Sequence, residues 1–475
     1  MAIQSRSSSP ALTMAVVLLG FLVVPMSISG AAVALPGIGA DLRTAGAPLQ
    51  WVMNAYNLTF ASFTLVAGSL ADLFGRRRVF ATGAAVFAAG SVVAALSDGI
   101  WLLDAARALS GVGAAGVMAG GAAILATAFD GPARTRAFAL LGTVAGIGLA
   151  LGPTISGWLV GGLGWRAIFL SNALILALSL AGIPFIGESR APRRPQVDVK
   201  GAVTFVAGLG LLTVAVVQGP QAGWGDPVVL GLLAAAAALL VAFAAVERRS
   251  PHPVLDLTLV RNRRFLALSL VPVATSFGMV TLLTYLPTYF AGVHGASPQQ
   301  AGLWMLVMTA PVLIAPPVGG WLLNRGVPAR TLVTVAVVLF AAGNAWLATT
   351  DAAPPVAPLL LVGVGAGLGF GVGDGLAMSM VEPERAGMAA GFVNTLRIGS
   401  EAIVIAVYGS ALVSLVQARV GDAELANTIA AGGPGGGPQL AAAFQVVVWA
   451  VAGITLAMAV GIHAMLRPPA AADQP

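Results

Sequence analysis

Five ionisable residues fall inside stretches that are otherwise strongly apolar: Asp104, Arg107, Asp374, Arg397 and Glu401. A charge within a membrane span is costly unless paired or hydrated, so such residues mark proton relays, ion paths or substrate contacts. Asp104 precedes Arg107 by three residues and shares its helical face, which makes it a candidate partner for the arginine. Arg397 and Glu401 are four apart on one face, about 15 and 21 Å into a helix starting near 387, close to the middle of a 30 Å hydrocarbon core. Two readings stand: a static ion pair that orients the helix, or a carboxyl whose proton affinity is set by burial against the neighbouring cation. Asp374 sits in the glycine-rich stretch from Gly363 to Gly375.

The elements that position these residues are membrane helices. Hydrophobic residues make up 58% of the 475 and charged residues 9%, against roughly 25% charged in soluble domains. Apolar runs of about 20 residues recur between short clusters of Arg, Pro, Gly and Asp, giving about fourteen spans. Runs such as 228–246 and 329–348 are apolar on every face, unlike the alternating ten-residue segments of a membrane barrel. The stretch from 13 to 35 is too long for the core of a signal peptide and reads as a retained first helix.

With the N-terminus in the cytoplasm, 19 of the 24 basic residues fall on inside loops, among them Arg76 to Arg78, Arg248, Arg249 and Arg325. The positive-inside rule then places both termini in the cytoplasm of a bacterial inner membrane. Basic clusters beside spans also account for the net charge of +6 without a nucleic-acid partner. There is no cysteine, and His252, His294 and His463 are scattered, so a metal site is not expected. No loop gathers the His, Cys or carboxylate groups of a catalytic site, and no Gly-x-x-x-x-Gly-Lys phosphate loop is present, so the chain is expected to be neither an enzyme nor an ATPase and to need no cofactor.

Three motifs carry a mechanism. The segment Gly68-Ser-Leu70-Ala-Asp72-Leu-Phe-Gly75-Arg76-Arg77-Arg78 combines small residues for close helix approach, a tight turn at Gly75 and an acid able to accept from arginine or helix amides. It resembles the first signature of the major facilitator superfamily, and a weaker echo at Gly320 to Arg330 carries Asn324 in place of the acid. The run from Asp104 to Ala115 is similar to the second signature, whose buried arginine, here Arg107, takes part in proton coupling. The run Gly148-Leu-Ala-Leu-Gly152-Pro153-Thr-Ile-Ser156-Gly157 resembles the antiporter signature, in which small residues four apart seal two helices and Pro153 bends one of them.

With Gln50-Trp51-Val52, Tyr56, Gly164-Trp165-Arg166 and Arg261-Asn-Arg263-Arg264-Phe265, the whole chain resembles the fourteen-helix drug:proton antiporters. The resemblance implies two six-helix bundles, 1–190 and 265–475, joined by two extra spans within 191–264. It also implies that Gly68, Asp72, Gly75 and Arg76 form a conformational gate, with Asp72 docking near Gly387, and that Gly148, Gly152, Pro153 and Gly157 form a hinge. Many members carry an acid in the first span where this chain has Ser27. Coupling then falls to the remaining membrane charges, with Glu401 first and Asp374, Arg397, Arg107 and Asp104 beside it.

The expected function is proton-driven export of small amphipathic organic compounds by a monomer whose partners are substrate, protons and lipid. The alternatives are export of an endogenous metabolite or siderophore, or, in a different class, a membrane sensor that transports nothing.

Overall fold

The computed structural model describes residues 9–129, 131–189, 198–250, 262–380 and 386–467. With no water to satisfy backbone groups in a bilayer, apolar segments close their own hydrogen bonds as helices. The described elements are all helical: α1 (Pro10–Asp41), α2 (Gly46–Phe74), α3 (Arg76–Ala95), α4 (Ile100–Ala128), α5 (Gly131–Leu163), α6 (Arg166–Gly182), α7 (Val199–Ala222), α8 (Pro227–Glu247) and α9 (Arg263–Thr275). They continue with α10 (Thr281–His294), α11 (Pro298–Thr309), α12 (Pro311–Asn324), α13 (Ala329–Leu347), α14 (Val356–Leu368), α15 (Asp374–Ser379), α16 (Ala386–Val420), α17 (Ala423–Ala430) and α18 (Gly437–Met465). Side-chain caps start several of them, such as Asp198 accepting from Gly201 N at 2.8 Å and Asp226 from Val228 N at 2.8 Å.

Among the described residues, twelve helices are long and apolar enough to cross a membrane, against the expected count of about fourteen. The two remaining expected spans, 49–70 and 358–381, coincide with α2, which is 29 residues long, and with a helix interrupted by a π turn at Gly369–Gly373. That turn leaves α14 with only 13 regular residues and α15 with six. A second π turn, Ser276–Val280, separates α9 from α10.

Two buried apolar clusters organise the molecule, one drawn mainly from α1 to α6 and the other from α9 to α18. The α1–α6 half meets the other where α5 packs on α11 and α2 packs on α16. The pair α7 and α8 pack on each other, and α7 also lies against both α2 and α16. There the Ser410 hydroxyl donates to Val216 O at 2.6 Å, over a small cluster of Ala47, Val216, Val217 and Ala406.

Because consecutive spans alternate in direction, the turns divide between two faces. One, here the arginine face, carries Arg76 to Arg78 and Arg325; the opposite face carries the turns after α1, α3, α5, α7, α10, α13 and α16.

Candidate functional site

The site is built around Arg107, about 10 Å along α4 from its first residue. Glycines set the position of α4. A side chain on Gly111 would strike Thr59 Oγ1 and Tyr56 O of α2, and one on Gly113 would strike the backbone of Gly83 and Phe87 in α3. The helix is thus held close between its neighbours, with Thr59 Oγ1 donating to Ala108 O at 2.8 Å.

Arg107 is 1% exposed. Its Nε donates to Val52 O of α2 at 2.9 Å and its Nη1 to Ser27 Oγ of α1 at 2.8 Å. The guanidinium lies 4.2 Å from the centre of the Tyr56 ring and 5.7 Å from that of Phe169 on α6. A buried cation is tolerated when charge-assisted hydrogen bonds and aromatic faces replace water. The Tyr56 hydroxyl donates to Val24 O at 3.2 Å, tying the ring back to α1. Around this centre Asn54, Asn57 and Asn172 are buried, and both polar atoms of Asn54 and of Asn172 lack hydrogen-bond partners.

Asp104 does not hydrogen-bond to Arg107. Its side chain is buried, yet neither carboxylate oxygen accepts a hydrogen bond, and Arg107 turns to Ser27 and Val52. Sharing a helix face brings two residues near each other, but the arginine fork reaches across to α1 and α2, where it meets the Ser27 hydroxyl and the Val52 carbonyl. Arg107 Nη2 has no hydrogen-bond partner either.

The antiporter-like run packs against both halves. A side chain on Gly148 would strike Leu22 O, one on Gly152 would strike Ser29 Oγ, and one on Gly157 would strike Pro298 O of α11. Thr154 Oγ1 donates to Gly302 O at 2.9 Å, and Thr309 Oγ1 donates to Ala150 O at 2.5 Å. Pro153 lies within α5, and its carbonyl abuts Gly302. Ser156 is fully buried against Gly30 of α1, so the serine serves the close packing that a glycine was expected to provide.

At the arginine face, Gly75 adopts φ 113°, a conformation glycine reaches without strain, and α3 restarts directly after it. Arg76 N donates to Ser189 O at 3.0 Å, Arg77 N to Glu188 Oε1 at 3.1 Å and Arg77 Nη1 to Ile186 O at 2.8 Å. Glu188 Oε2 also lies 3.6 Å from Arg78 Nε. The basic turn therefore rests on the chain leaving α6, an anchor that sequence reasoning missed; its only signal was an acid at the sixth span's end. Among the described residues, a methyl on Gly68 meets nothing within 4 Å. Asp72 lies in the last turn of α2 and Gly387 in the first turn of α16; the side-chain environment of both lies outside what the structure describes.

In the other half, Arg397 and Glu401 follow each other by one turn of α16 and are each partly buried. The Arg397 guanidinium lies 5.3 Å from the centre of the Phe370 ring, in one π turn. Ser400 Oγ meets Ser276 Oγ of the other π turn at 2.9 Å. Both interruptions thus face the charged segment of α16. Asp374 is the first residue of α15; its side chain lies outside the described ones.

A helix-only architecture in two halves, with a buried arginine at the centre of one and glycine contacts sealing the seam, defines a membrane transporter. The family model for the Major Facilitator Superfamily matches residues 17–404, and the chain belongs to that superfamily. It is 35% identical over 397 residues to the multidrug resistance protein Stp of Mycobacterium tuberculosis, covering 82% of this chain and 73% of that protein. It is 31% identical over 442 residues to the tetracenomycin C resistance and export protein of Streptomyces glaucescens, covering 91% and 81%. Among solved structures, an autoinhibited POT-family peptide transporter superposes with a TM-score of 0.67 at 17% identity over 98% of each chain, which shows the shared fold. The chain is a multi-pass membrane transporter, not an enzyme.

Proposed function

We propose that the chain is a proton-coupled antiporter that exports small amphipathic organic compounds such as drugs or antibiotics. The observation that carries this reading is Arg107, buried and held by α1 and α2 through Ser27 and Val52. A cation fixed at the meeting point of several helices is a group whose surroundings change when those helices move, so protonation and conformation are linked there. The printed names of the relatives, multidrug resistance and tetracenomycin C export, support the substrate class.

In this mechanism the halves 1–190 and 265–475 rock about a central site, with 191–264 linking them. The named contacts between α5 and α11 lie toward the opposite face, which supports a conformation open toward the arginine face. That face is cytoplasmic and carries both termini, in line with the distribution of arginines. Gly68, Asp72, Gly75 and Arg76 gate the cytoplasmic side, and Gly148, Gly152, Pro153 and Gly157 seal the outer one. Protons bind among Glu401, Asp374, Arg397, Arg107 and Asp104. Each entering proton supplies about 2.3 kcal/mol per 100 mV and about 1.4 kcal/mol per pH unit. The transporting unit is the monomer.

Inverted vesicles containing the chain test the proposal with a panel of cationic, neutral and anionic compounds. Accumulation on acidifying the lumen, abolished by a protonophore, is expected. Uptake indifferent to the proton gradient overturns proton coupling, and no uptake of any compound overturns export.

A further inference from the structure

At the arginine face, three arginines from three elements meet around the last turn of α18. Ala464 O accepts from Arg263 Nη2 of α9 at 2.8 Å and from Arg467 N at 3.3 Å. One residue earlier, His463 Nε2 contacts Arg330 Nη2 of α13, while its Nδ1 lies 3.0 Å from Thr334 Oγ1. The Thr334 hydroxyl donates to Arg330 O at 2.8 Å, so its oxygen accepts from His463 Nδ1–H, and Nε2 is left as the acceptor for the arginine. His463 is therefore uncharged in this arrangement and brings the cluster no negative partner. Arg263 and Arg467 are exposed and Arg330 is half-buried. Among the described residues, none of the three arginines forms an ion pair with a carboxylate.

Like charges gathered without an acid repel one another, and an anion completes such an arrangement. Planar guanidinium forks match the oxygens of a phosphate, and one phosphate offers acceptors to donors from several helices at once. The surface beside the cluster decides which kind of phosphate. On α18, Leu456, Val460, His463 and Arg467 follow one another at helical spacing, and Arg330, Thr334 and Val338 do so on α13. Leu456, Val460 and Val338 are exposed, and α13 and α18 pack on each other. An outward apolar surface thus runs along both helices up to the arginines. A free phosphate or a nucleotide leaves that surface unused, whereas a phospholipid covers it with its chains while its headgroup meets the cluster. Basic pockets between spans hold anionic headgroups in this way. The turn at Arg77 and Arg78 differs, because Glu188 already lies against both.

We propose that the end of α18, with Arg263, Arg330 and Arg467, is a binding site for the phosphate headgroup of an anionic phospholipid in the adjoining leaflet, whose acyl chains lie along α13 and α18. The proposal does not depend on the exporter reading.

The test uses the purified full chain in detergent, titrated with phosphatidylglycerol or phosphatidylcholine, with bound lipids counted by native mass spectrometry. The parent is expected to bind phosphatidylglycerol about tenfold more tightly than phosphatidylcholine. Arg467→Gln alters an exposed residue beyond the last regular turn of α18 and is expected to weaken phosphatidylglycerol about fivefold. Arg330→Gln combined with Arg467→Gln is expected to bring it to about the level of phosphatidylcholine; where that double variant fails to fold, Arg467→Gln alone carries the test. Arg248→Gln with Arg249→Gln removes as much charge from exposed positions of the same face and is expected to stay within about twofold of the parent. Losses of equal size in the two double variants, or a parent with no preference for phosphatidylglycerol, overturn the site, because attraction to a basic face in general then accounts for the binding. A dimer in the parent spectrum that Arg467→Gln abolishes assigns the surface to a second copy of the chain and overturns it as well.

Discussion

Arg107 Nη1 donates to Ser27 Oγ at 2.8 Å across 80 residues of sequence. Ser27 is the position at which the resemblance leads one to expect an acid. The arginine that a first-span acid would pair is held instead by a neutral hydroxyl and by Val52 O. Without a first-span acid to attract them, permanent cations are expected to be transported less well than neutral or anionic compounds.

The first prediction follows from that geometry. Ethidium should enter inverted vesicles of the parent more slowly than a neutral antibiotic does. Ser27→Asp places a carboxylate within reach of the guanidinium and offsets its charge, and is expected to raise ethidium uptake about tenfold, corresponding to about 1.4 kcal/mol. Equal rates for the two compounds in the parent would count against the assignment.

Arg107→Ala and Asp72→Asn should each cut transport below a tenth of the parent rate while leaving the protein in the membrane at normal abundance. Arg107→Lys should fail as well, because an ammonium cannot reproduce the fork that reaches α1 and α2 together. By contrast, Glu188→Gln removes an exposed ion pair with Arg78 and should shift thermal stability by less than ~1 kcal/mol. Transport assays beside membrane immunoblots distinguish these outcomes. Normal export by both Arg107→Ala and Asp72→Asn would remove the signature assignments.

A third prediction concerns the seal. Gly157 packs directly on Pro298 O of α11, so Gly157→Val must push α5 and α11 apart. Export should fall about tenfold or more, in keeping with loss of a close-packed contact. In the cysteine-free background, the pair Gly161→Cys and Gln299→Cys, which are in contact in this structure, should cross-link readily. Adding Gly157→Val should slow that cross-linking. Unchanged cross-linking with unchanged export would show that this contact does not form the closed state.

Much of this was legible in the sequence, and the gaps have physical causes. The buried arginine and the small residues around it stood out because each is improbable in an ordinary span. Ser27 was noted for what it lacks, not as the arginine's partner, since periodicity along one helix says nothing about which residue of another helix faces it. Asp104 shares a face with Arg107, yet a shared face does not decide where a forked side chain turns. The expected count of spans missed the break at Gly369–Gly373, because hydropathy averages smoothly through a glycine-rich π turn. Glu188 did not stand out, since nothing local reveals that Arg77 and Arg78, more than 100 residues earlier, lie against it.

The last prediction concerns Glu401. Antiport requires a group that takes a proton on one side of the membrane and releases it on the other, and the first span offers only Ser27. Glu401 lies one turn from Arg397 on α16, whose neighbour Ser400 contacts the π turn at Ser276 and whose own guanidinium approaches Phe370 in the other. A π turn is a helix interruption with weak local constraint, so a shift of either alters the surroundings of both charges at once. Protonation of Glu401 and the position of α16 are then linked. Glu401→Gln keeps the shape and polarity of the side chain but cannot release a proton. It should bind a compound that parent vesicles accumulate with an affinity within about twofold of the parent's, while losing accumulation driven by an imposed pH gradient, at least about tenfold. Accumulation against a gradient by Glu401→Gln vesicles would instead make Arg397 and Glu401 a fixed structural pair, and Asp374→Asn would then be the variant in which that loss is expected.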